Sequence, residues 1–521
     1  MLLSDIPAIA AHHAPNRIAI RFEGRTLTYT QLRDRCWCLS HALAEVASPG
    51  DRVAILAENC PAYVEAYYGV PGARMGLTLL NYRLAPRELA YIIGNSEPRV
   101  LFVEQKYLPT IELIRGDIPS VETVVVLDGI REGHDSYERF LQSGEPVEPE
   151  LKPLDSDLCW LIYTSETTGL PKGAMLSHAN VVGGITNSMV CWDNSTDDIA
   201  MFTFPMFHVA GYVMPMYHLR GFEVVLMRNF DPAGLLSSIQ EFGVTSTAMA
   251  PTMIAMLLED PQTKDYDLSS LKRIGYGAAA MPLQTLRKAR AAWPGIGFST
   301  GFGMTELSGN VMYMGPEDHD RAAENGLEII RSVGRQMPMG RVRIVDDHGD
   351  DVPVGQEGEI VIQGDQVLGA YWKNPEATKS AFFGRWFRSG DVGRWDQDGY
   401  LYIVDRKKDM ILTGGENVYP REVEDVLYQH PAIVEVAVIG IPDPKWGESV
   451  VAVITPRAGS AITPLEVIAH CREQMASYKK PKHVVWIDTL PKNASGKILK
   501  RELRDRIATG DLKIASDDQV P

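Results

Sequence analysis

The chain has 521 residues, 45% of them hydrophobic and 23% charged, enough to bury a sizeable core, and at roughly 100–200 residues per domain about two to four domains are expected. Lys plus Arg 51 against Asp plus Glu 67 gives a net charge of −16, which argues against a general nucleic-acid or anionic-membrane binder and leaves any anion to local chemistry. The cysteines Cys36, Cys38, Cys60, Cys159, Cys191 and Cys471 form no CxxC pair and no metal-ligand spacing, so reduced thiols are the simplest reading. The start MLLSDIPAIAAHH carries no basic leader, and no long apolar run follows; a cytoplasmic protein without an integral membrane segment is expected.

From Arg17 to about Gly399, short apolar runs such as RVAILAEN, RVLFVEQ and TVVVLDG alternate with helical stretches such as TYTQLRDRCWCLSHALAEV. That alternation predicts α/β layers with largely parallel sheets. Residues 340–404 read differently: two strand-like runs joined by a Gly/Asp/Pro turn, then RWFRSGDVGRWDQDGYLYIVDR, predict antiparallel β structure that closes the large domain. After Asp405 the pattern restarts with MILTGGENVYP, a helix in PREVEDVLYQHP, strands in VEVAVIGIPD and SVVAVITP, and a helix in TPLEVIAHCREQMASY. The expected organisation is a large domain over 1–405 and a small, mobile α+β domain over 406–521, joined by the charged link Asp405 to Lys408, with the terminal SDDQVP frayed.

The most informative stretch is Tyr163-Thr-Ser-Glu-Thr-Thr-Gly-Leu-Pro-Lys-Gly173, which follows the strand-like Leu158-Cys-Trp-Leu-Ile162. Hydroxyls, glycines and a lysine in so short a span supply the backbone N–H groups, side-chain donors and cation that a polyphosphate needs. It is not the GxxxxGK[ST] loop, and a Ser/Thr-rich surface turn would have the same composition.

This stretch resembles the phosphate loop of the adenylate-forming acyl-CoA synthetases, the superfamily that includes carrier-protein adenylation domains and firefly luciferase. Its usual form there is Tyr-Thr-Ser-Gly-Thr-Thr-Gly-x-Pro-Lys-Gly; here Glu166 replaces the first glycine. Further stretches fall in the family's order along nearly the whole chain: Phe207-His208-Val-Ala-Gly211, Gly277-Ala-Ala-Ala-Met-Pro282, Gly301-Phe-Gly-Met-Thr-Glu306, Ser389-Gly-Asp391, Asp405-Arg-Lys-Lys-Asp409, Gly414-Gly-Glu-Asn-Val-Tyr-Pro420 and Pro491-Lys-Asn-Ala-Ser-Gly-Lys497.

The resemblance implies a carboxylic acid, ATP with Mg²⁺, and CoA as reactants, with an acyl-adenylate between the two half-reactions. Nucleotide contacts would come from Thr164, Ser165, Glu166, Thr167, Thr168, Gly169 and Lys172 of the phosphate loop, Ala278 beside adenine, Phe302 stacked on it, and Gly303 and Thr305. Asp391 would bind the ribose hydroxyls with Arg406 nearby, and Glu306 would hold Mg²⁺ through oxygen ligation that suits a hard ion. Lys497 would bridge the carboxylate and α-phosphate, His208 would gate or orient the acid, and Lys408 would be the hinge that swings the Gly414-Gly415 loop over the adenylate for thiol attack. Trp446, Tyr478, Lys480 and Lys482 match the aromatic and basic residues that take CoA in the aryl-CoA ligases of the family, which favours free CoA over a carrier protein.

Glu166 departs from that pattern where backbone N–H groups should wrap the β- and γ-phosphates. A side chain there costs backbone freedom and space, and its charge at ~4 Å and an effective dielectric of about 20 costs roughly 4 kcal/mol per unit charge pair. The expectation is weakened or absent adenylation from ATP with thioester formation from acyl-adenylate intact, the adenylate then coming from a separate adenylating enzyme. An ordinary ATP-using ligase, with Glu166 turned to solvent or to the metal, is the alternative; a non-catalytic acyl-adenylate binder and a luciferase-type oxygenase are more distant ones. Gly275-Tyr-Gly277-Ala-Ala-Ala280 fits a dinucleotide fingerprint, but Thr300 stands where its acid is needed. Small residues around the expected acyl pocket (Ala278, Ala279, Ala280, Gly301, Gly303, Gly309) suggest room for a bulky apolar acyl group.

Overall fold

The computed structural model describes residues 1–521 apart from 130, 132, 165–169, 193–196, 278–280, 326–327, 414–415, 493–495 and 517–521. Among the described residues the chain forms four sheets, three before residue 407 and one after it. The predicted apolar runs are strands at Arg52–Leu56, Pro98–Val103 and Thr123–Val126, and the helix begins at Tyr29, where the Thr28 hydroxyl accepts from the Gln31 N–H at 3.2 Å.

One sheet runs from Ala370–Tyr371 through Lys172–Ser177, Leu158–Thr164, Gly76–Leu79, Arg52–Leu56, Pro98–Val103 and Thr123–Val126 to Asp135–Ser136. Its pairings are parallel except at one end, where Leu158–Thr164 turns back antiparallel onto Lys172–Ser177 and Ala370–Tyr371 adds beside that strand. Strands covered on both faces become continuously apolar, and Gly76–Leu79 is buried at every position.

The second sheet pairs Ile199–Phe202, Ser246–Met249, Arg273–Tyr276 and Gly297–Met304 in parallel, then folds back through Gly309–Met314. The two sheets share the largest apolar core, in which Trp160, Tyr67 and Phe222 are fully enclosed. In both, the parallel strands lead to one end of the sheet where an antiparallel hairpin carries a motif: the phosphate stretch in one, Thr305-Glu306 in the other.

The third sheet is antiparallel as expected, with Gly340–Val345, Gly358–Gly364, Trp386–Trp395 and Leu401–Arg406. The next strand, Ile411–Thr413, belongs to the fourth sheet, in which Ile433–Asp443 and Gly447–Pro456 form a long hairpin and His483–Trp486 adds in parallel. This sheet has its own two cores, one under the helices Pro420–Leu427 and Pro464–Gln474 and one under Lys500–Ala508. The last predicted helix stops at Gln474, short of the Met475–Tyr478 tail of its apolar pattern, and the terminal stretch lies almost wholly outside the described residues. No described helix is long and apolar enough to cross a membrane.

Candidate active site

The phosphate stretch starts and ends on paired antiparallel strands, with Thr164 opposite Lys172 in register and the Thr164 hydroxyl donating to the Lys172 carbonyl at 3.4 Å. Ser165, Glu166, Thr167, Thr168 and Gly169 lie outside the described residues. Just past the bend, a Cβ on Gly173 would fall 2.9 Å from Leu161 and 3.2 Å from Trp372, so the glycine lets a neighbouring segment close in. That segment docks there through the Trp372 N–H, which donates to the Gly173 carbonyl at 2.7 Å.

The same segment holds the second motif. Thr305–Leu307 is a short 3₁₀ turn between Gly297–Met304 and Gly309–Met314. The Leu368 N–H donates to the Glu306 carbonyl at 2.8 Å, and the Gln366 amide donates to the carbonyls of Leu307 at 2.7 Å and Asn310 at 3.0 Å. The Tyr371 hydroxyl donates to Glu306 Oε1 at 2.9 Å, while its ring lies 5.4 Å from the Lys172 ammonium. Phe302 lies half-buried against the main core.

Here one expectation needs correction. Gly301, Gly303 and Gly309 are not small in order to leave room for an acyl group. A Cβ on Gly303 would sit 2.0 Å from the Gly309 carbonyl oxygen, one on Gly301 2.6 Å from that of Met312, and one on Gly309 3.0 Å from the Tyr212 ring. They are consumed by the close approach of the hairpin strands and of Tyr212. Ala278, Ala279 and Ala280 lie outside the described residues.

Asp391 and Arg406 are direct partners across adjacent antiparallel strands, and Arg406 Nε donates to Asp391 Oδ1 at 2.6 Å. The kink that turns Asp391 inward uses Gly390 at φ +71°, while the Ser389 hydroxyl donates to the Ile360 carbonyl at 2.7 Å and accepts from the Asp391 N–H at 3.0 Å. Asp391 is 3% exposed and its Oδ2 has no hydrogen-bond partner among the described residues. Burial raises its pKa, against the pull of Arg406 and Lys497. Lys497, in the small domain, is close enough to act on this carboxylate electrostatically; desolvation, then Arg406 and Lys408, lower its pKa to about 8, while Asp409 and Asp391 oppose the shift. Lys408 itself is exposed, whereas its neighbour Lys407 is tied to Asp347 at 2.7 Å and Glu359 at 3.2 Å. The buried Asp405 accepts from the Arg406 N–H at 2.6 Å and from the Arg421 N–H, at the start of the helix Pro420–Leu427, at 2.8 Å. Gly414 and Gly415 lie outside the described residues.

His208 opens the 3₁₀ turn Val209–Tyr212, and its ring lies 4.3 Å from that of Phe207. The Tyr82 ring meets Phe207 edge-on at 5.3 Å, with the Arg83 guanidinium over both rings. Burial, then Arg83, lowers the His208 pKa to about 4, so the imidazole is neutral at pH 7. Gly211 is required because Tyr67, whose hydroxyl is bonded to the Met206 carbonyl, occupies the space a Cβ would take.

Trp446 and Tyr478 are both exposed, at 43% and 44%, on the small domain. Lys482 is not an unengaged cation. It pairs with Asp443 at 2.7 Å, and Asp443 also accepts from the N–H groups of Lys445 at 2.8 Å and Trp446 at 3.1 Å. Lys482, followed by Ser449, holds the Asp443 carboxyl well below the usual range. Lys482 thus braces the Trp446 turn, and Lys445, absent from the predicted set, lies over the indole at 4.8 Å.

Known proteins resemble this chain along most of its length. The AMP-binding enzyme family matches residues 8–372, and the AMP-binding enzyme C-terminal domain matches 422–497. The chain belongs to the AMP-binding enzyme family. It is 38% identical over 511 residues to the feruloyl-CoA synthase of an Amycolatopsis species, covering 97% of this chain and 99% of that protein. It is 37% identical over 502 residues to the indoleacetate–CoA ligase of Aromatoleum aromaticum, covering 95% and 96%. Among solved structures, o-succinylbenzoate-CoA synthetase of Bacillus subtilis, in complex with its acyl-adenylate intermediate, superposes with a TM-score of 0.85 at 28% identity, covering 96% of this chain and 98% of that one. This AMP-binding enzyme is thus an enzyme of the acid–thiol ligase family. Tyr371 and Gln366, which brace the Glu306 turn, carry no local sequence signal; the antiparallel pairing of Tyr371 with Ala174 and the backbone bonds of Leu368 and Trp372 bring that segment to the site.

Proposed function

We propose that this AMP-binding enzyme forms an acyl-CoA thioester from a carboxylic acid through an acyl-adenylate, with Glu166 weakening the ATP-dependent half-reaction. The observation that carries the reading is the buried Asp391 Oδ2, which has no hydrogen-bond partner among the described residues and lies within the electrostatic reach of Lys497. In the first half-reaction the acid's carboxylate oxygen attacks the α-phosphorus and the bond to pyrophosphate breaks. Lys497, protonated below about pH 8, offsets charge on the carboxylate and α-phosphate, with Thr305 beside it. Asp391 accepts from the ribose hydroxyls and Arg406 fixes its orientation. Phe302 stacks on adenine beside Ala278 and Gly303, and Thr164 to Gly169 with Lys172 surround the phosphates. Neutral His208 orients the acid without pairing with it as a cation.

The residues at Glu306 fit Mg²⁺: Tyr371 takes one carboxylate oxygen, and no group of three or more metal-binding side chains surrounds it among the described residues. A single carboxylate with phosphate oxygens and water is the usual coordination of this ion. Bound Mg²⁺ supplies charge neutralisation on the phosphates.

In the second half-reaction the CoA sulfur attacks the acyl carbon, AMP leaves with the bonding electrons, and the thiol proton is lost to solvent or base. The small domain, 406–521, turns about Lys408 to withdraw Lys497 and present Gly414 and Gly415. Trp446, Tyr478 and Lys480 take the CoA nucleotide, with Lys482 bracing the turn. The named activities of the feruloyl and indoleacetate relatives favour an aryl acid and free CoA as substrates.

Glu166 stands where each unit charge pair with a phosphate costs roughly 4 kcal/mol, on the order of a thousandfold in rate. Acyl-adenylate has no β- or γ-phosphate and escapes this. Pyrophosphate release from aryl acid and ATP should rise at least a hundredfold in Glu166→Gly while thioester formation from supplied acyl-adenylate stays the same. Brisk release by the native chain, unimproved by glycine, would leave the second reading, an ordinary ligase performing both half-reactions.

A further inference from the structure

Two charged groups proposed to meet the phosphates, Lys172 and Glu306, come from hairpins of different sheets, and Tyr371 touches both. Its hydroxyl donates to Glu306 Oε1 at 2.9 Å, and its ring centroid lies 5.4 Å from the Lys172 ammonium. The ring has little freedom. Ala370 and Tyr371 pair with Met175 and Ala174, and the Tyr371 N–H donates to the Thr378 hydroxyl at 2.9 Å. The flanking Leu368 and Trp372 N–H groups are bound to the Glu306 and Gly173 carbonyls, at 2.8 and 2.7 Å.

A carboxylate and an ammonium at one site attract each other, and a direct ion pair would spend the charges meant for the phosphates. An aromatic ring between them accepts the ammonium on its negative face and gives the carboxylate a hydrogen bond instead. With Oε1 engaged by the phenol, Oε2 is left without a hydrogen-bond partner among the described residues, turned over to a hard cation.

We propose that Tyr371 is a positioning residue for the ATP-using half-reaction, holding the Glu306 carboxylate in the orientation that takes Mg²⁺ while seating Lys172 on its ring. This rests on the adenylate-forming reading and adds a residue to it. Tyr371→Phe keeps the ring under Lys172 and removes only the hydroxyl, so its effect should be confined to the metal.

The test is calorimetric titration of a non-cleavable α,β-methylene ATP at graded free Mg²⁺, in the native chain and in Glu166→Gly, each with and without Tyr371→Phe. A lost hydrogen bond to a charged group should raise the Mg²⁺ concentration for half-maximal nucleotide affinity about tenfold. AMP affinity without Mg²⁺, thioester formation from supplied acyl-adenylate and the melting temperature should stay within twofold or a degree of the parent. In Glu306→Gln, Tyr371→Phe should add no further shift. Tyr371→Leu should also weaken metal-free ATP-analogue binding, because Lys172 loses its seat. A metal dependence unchanged in Tyr371→Phe, or equal losses in AMP binding and thioester formation, would overturn the proposal alone. Absence of Mg²⁺-dependent binding even in Glu166→Gly would overturn the metal role of Glu306 and this inference with it.

Discussion

Replacing Asp391 by Ala should erase the protein's ability to recognise a ribose. The carboxylate is 3% exposed, Oδ1 is held by Arg406 at 2.6 Å, and Oδ2 has no partner among the described residues. A buried acceptor left unsatisfied costs about 1–3 kcal/mol, and a hydrogen bond to a charged group returns about 1.5–3 kcal/mol. One ribose hydroxyl on Oδ2 and a second sharing Oδ1 with Arg406 together give about 3 kcal/mol, or roughly 150-fold in Kd. AMP and 2′,3′-dideoxy-AMP are the right probes, because neither carries the phosphates that Glu166 would repel. Calorimetry should find AMP preferred by roughly 100-fold in the native chain and by less than threefold in Asp391→Ala. Arg406 is partly exposed and can be rehydrated when its partner is lost, so the fold should survive. A preference of the native size persisting in Asp391→Ala, or absent from the native chain, would refute the assignment.

Other consequences separate the two half-reactions. The Lys497 pKa of about 8 lies below the ordinary lysine value and the ammonium is the working form, so kcat/KM for ATP, read in Glu166→Gly, should fall as pH rises through about 8, roughly tenfold by pH 9; thioester formation from supplied adenylate should not follow that limb. Lys497→Ala should abolish adenylation and spare thioester formation, and equal loss of both would contradict domain alternation. Lys408→Pro, which restricts the hinge torsion, should slow the complete cycle more than adenylation alone, seen as pyrophosphate release outpacing thioester formation. Trp446→Ala with Lys480→Ala should raise the KM for CoA about tenfold with acyl-adenylate affinity unchanged; Asp443→Asn should do the same more weakly by loosening the Trp446 turn, and an unaltered CoA dependence in both would remove that site.

What could be read from the sequence was whatever local patterning determines. Leu158-Cys-Trp-Leu-Ile162 read as a strand and is one; Ser389-Gly-Asp391 and Asp405-Arg406 were legible as motifs, although their cross-strand register was not. What failed needed partners distant in the chain. Gly301, Gly303 and Gly309 look like pocket space until the hairpin partner and Tyr212 are seen to fill the Cβ positions, and no local pattern shows that Lys482 pairs with Asp443. Tyr371 matters only because its strand pairs with residues nearly two hundred positions earlier. The pKa of His208 is likewise a burial effect that no local pattern encodes.

The most direct test of the account gives the purified chain a panel of synthetic aryl and fatty acyl-adenylates with CoA, in the absence of ATP, and follows acyl-CoA by mass spectrometry. CoA-dependent thioester formation is expected, with AMP released in equal amount, fastest among the aryl adenylates and at the same rate in Glu166→Gly. No thioester from any adenylate, with AMP and CoA left unchanged, would contradict it.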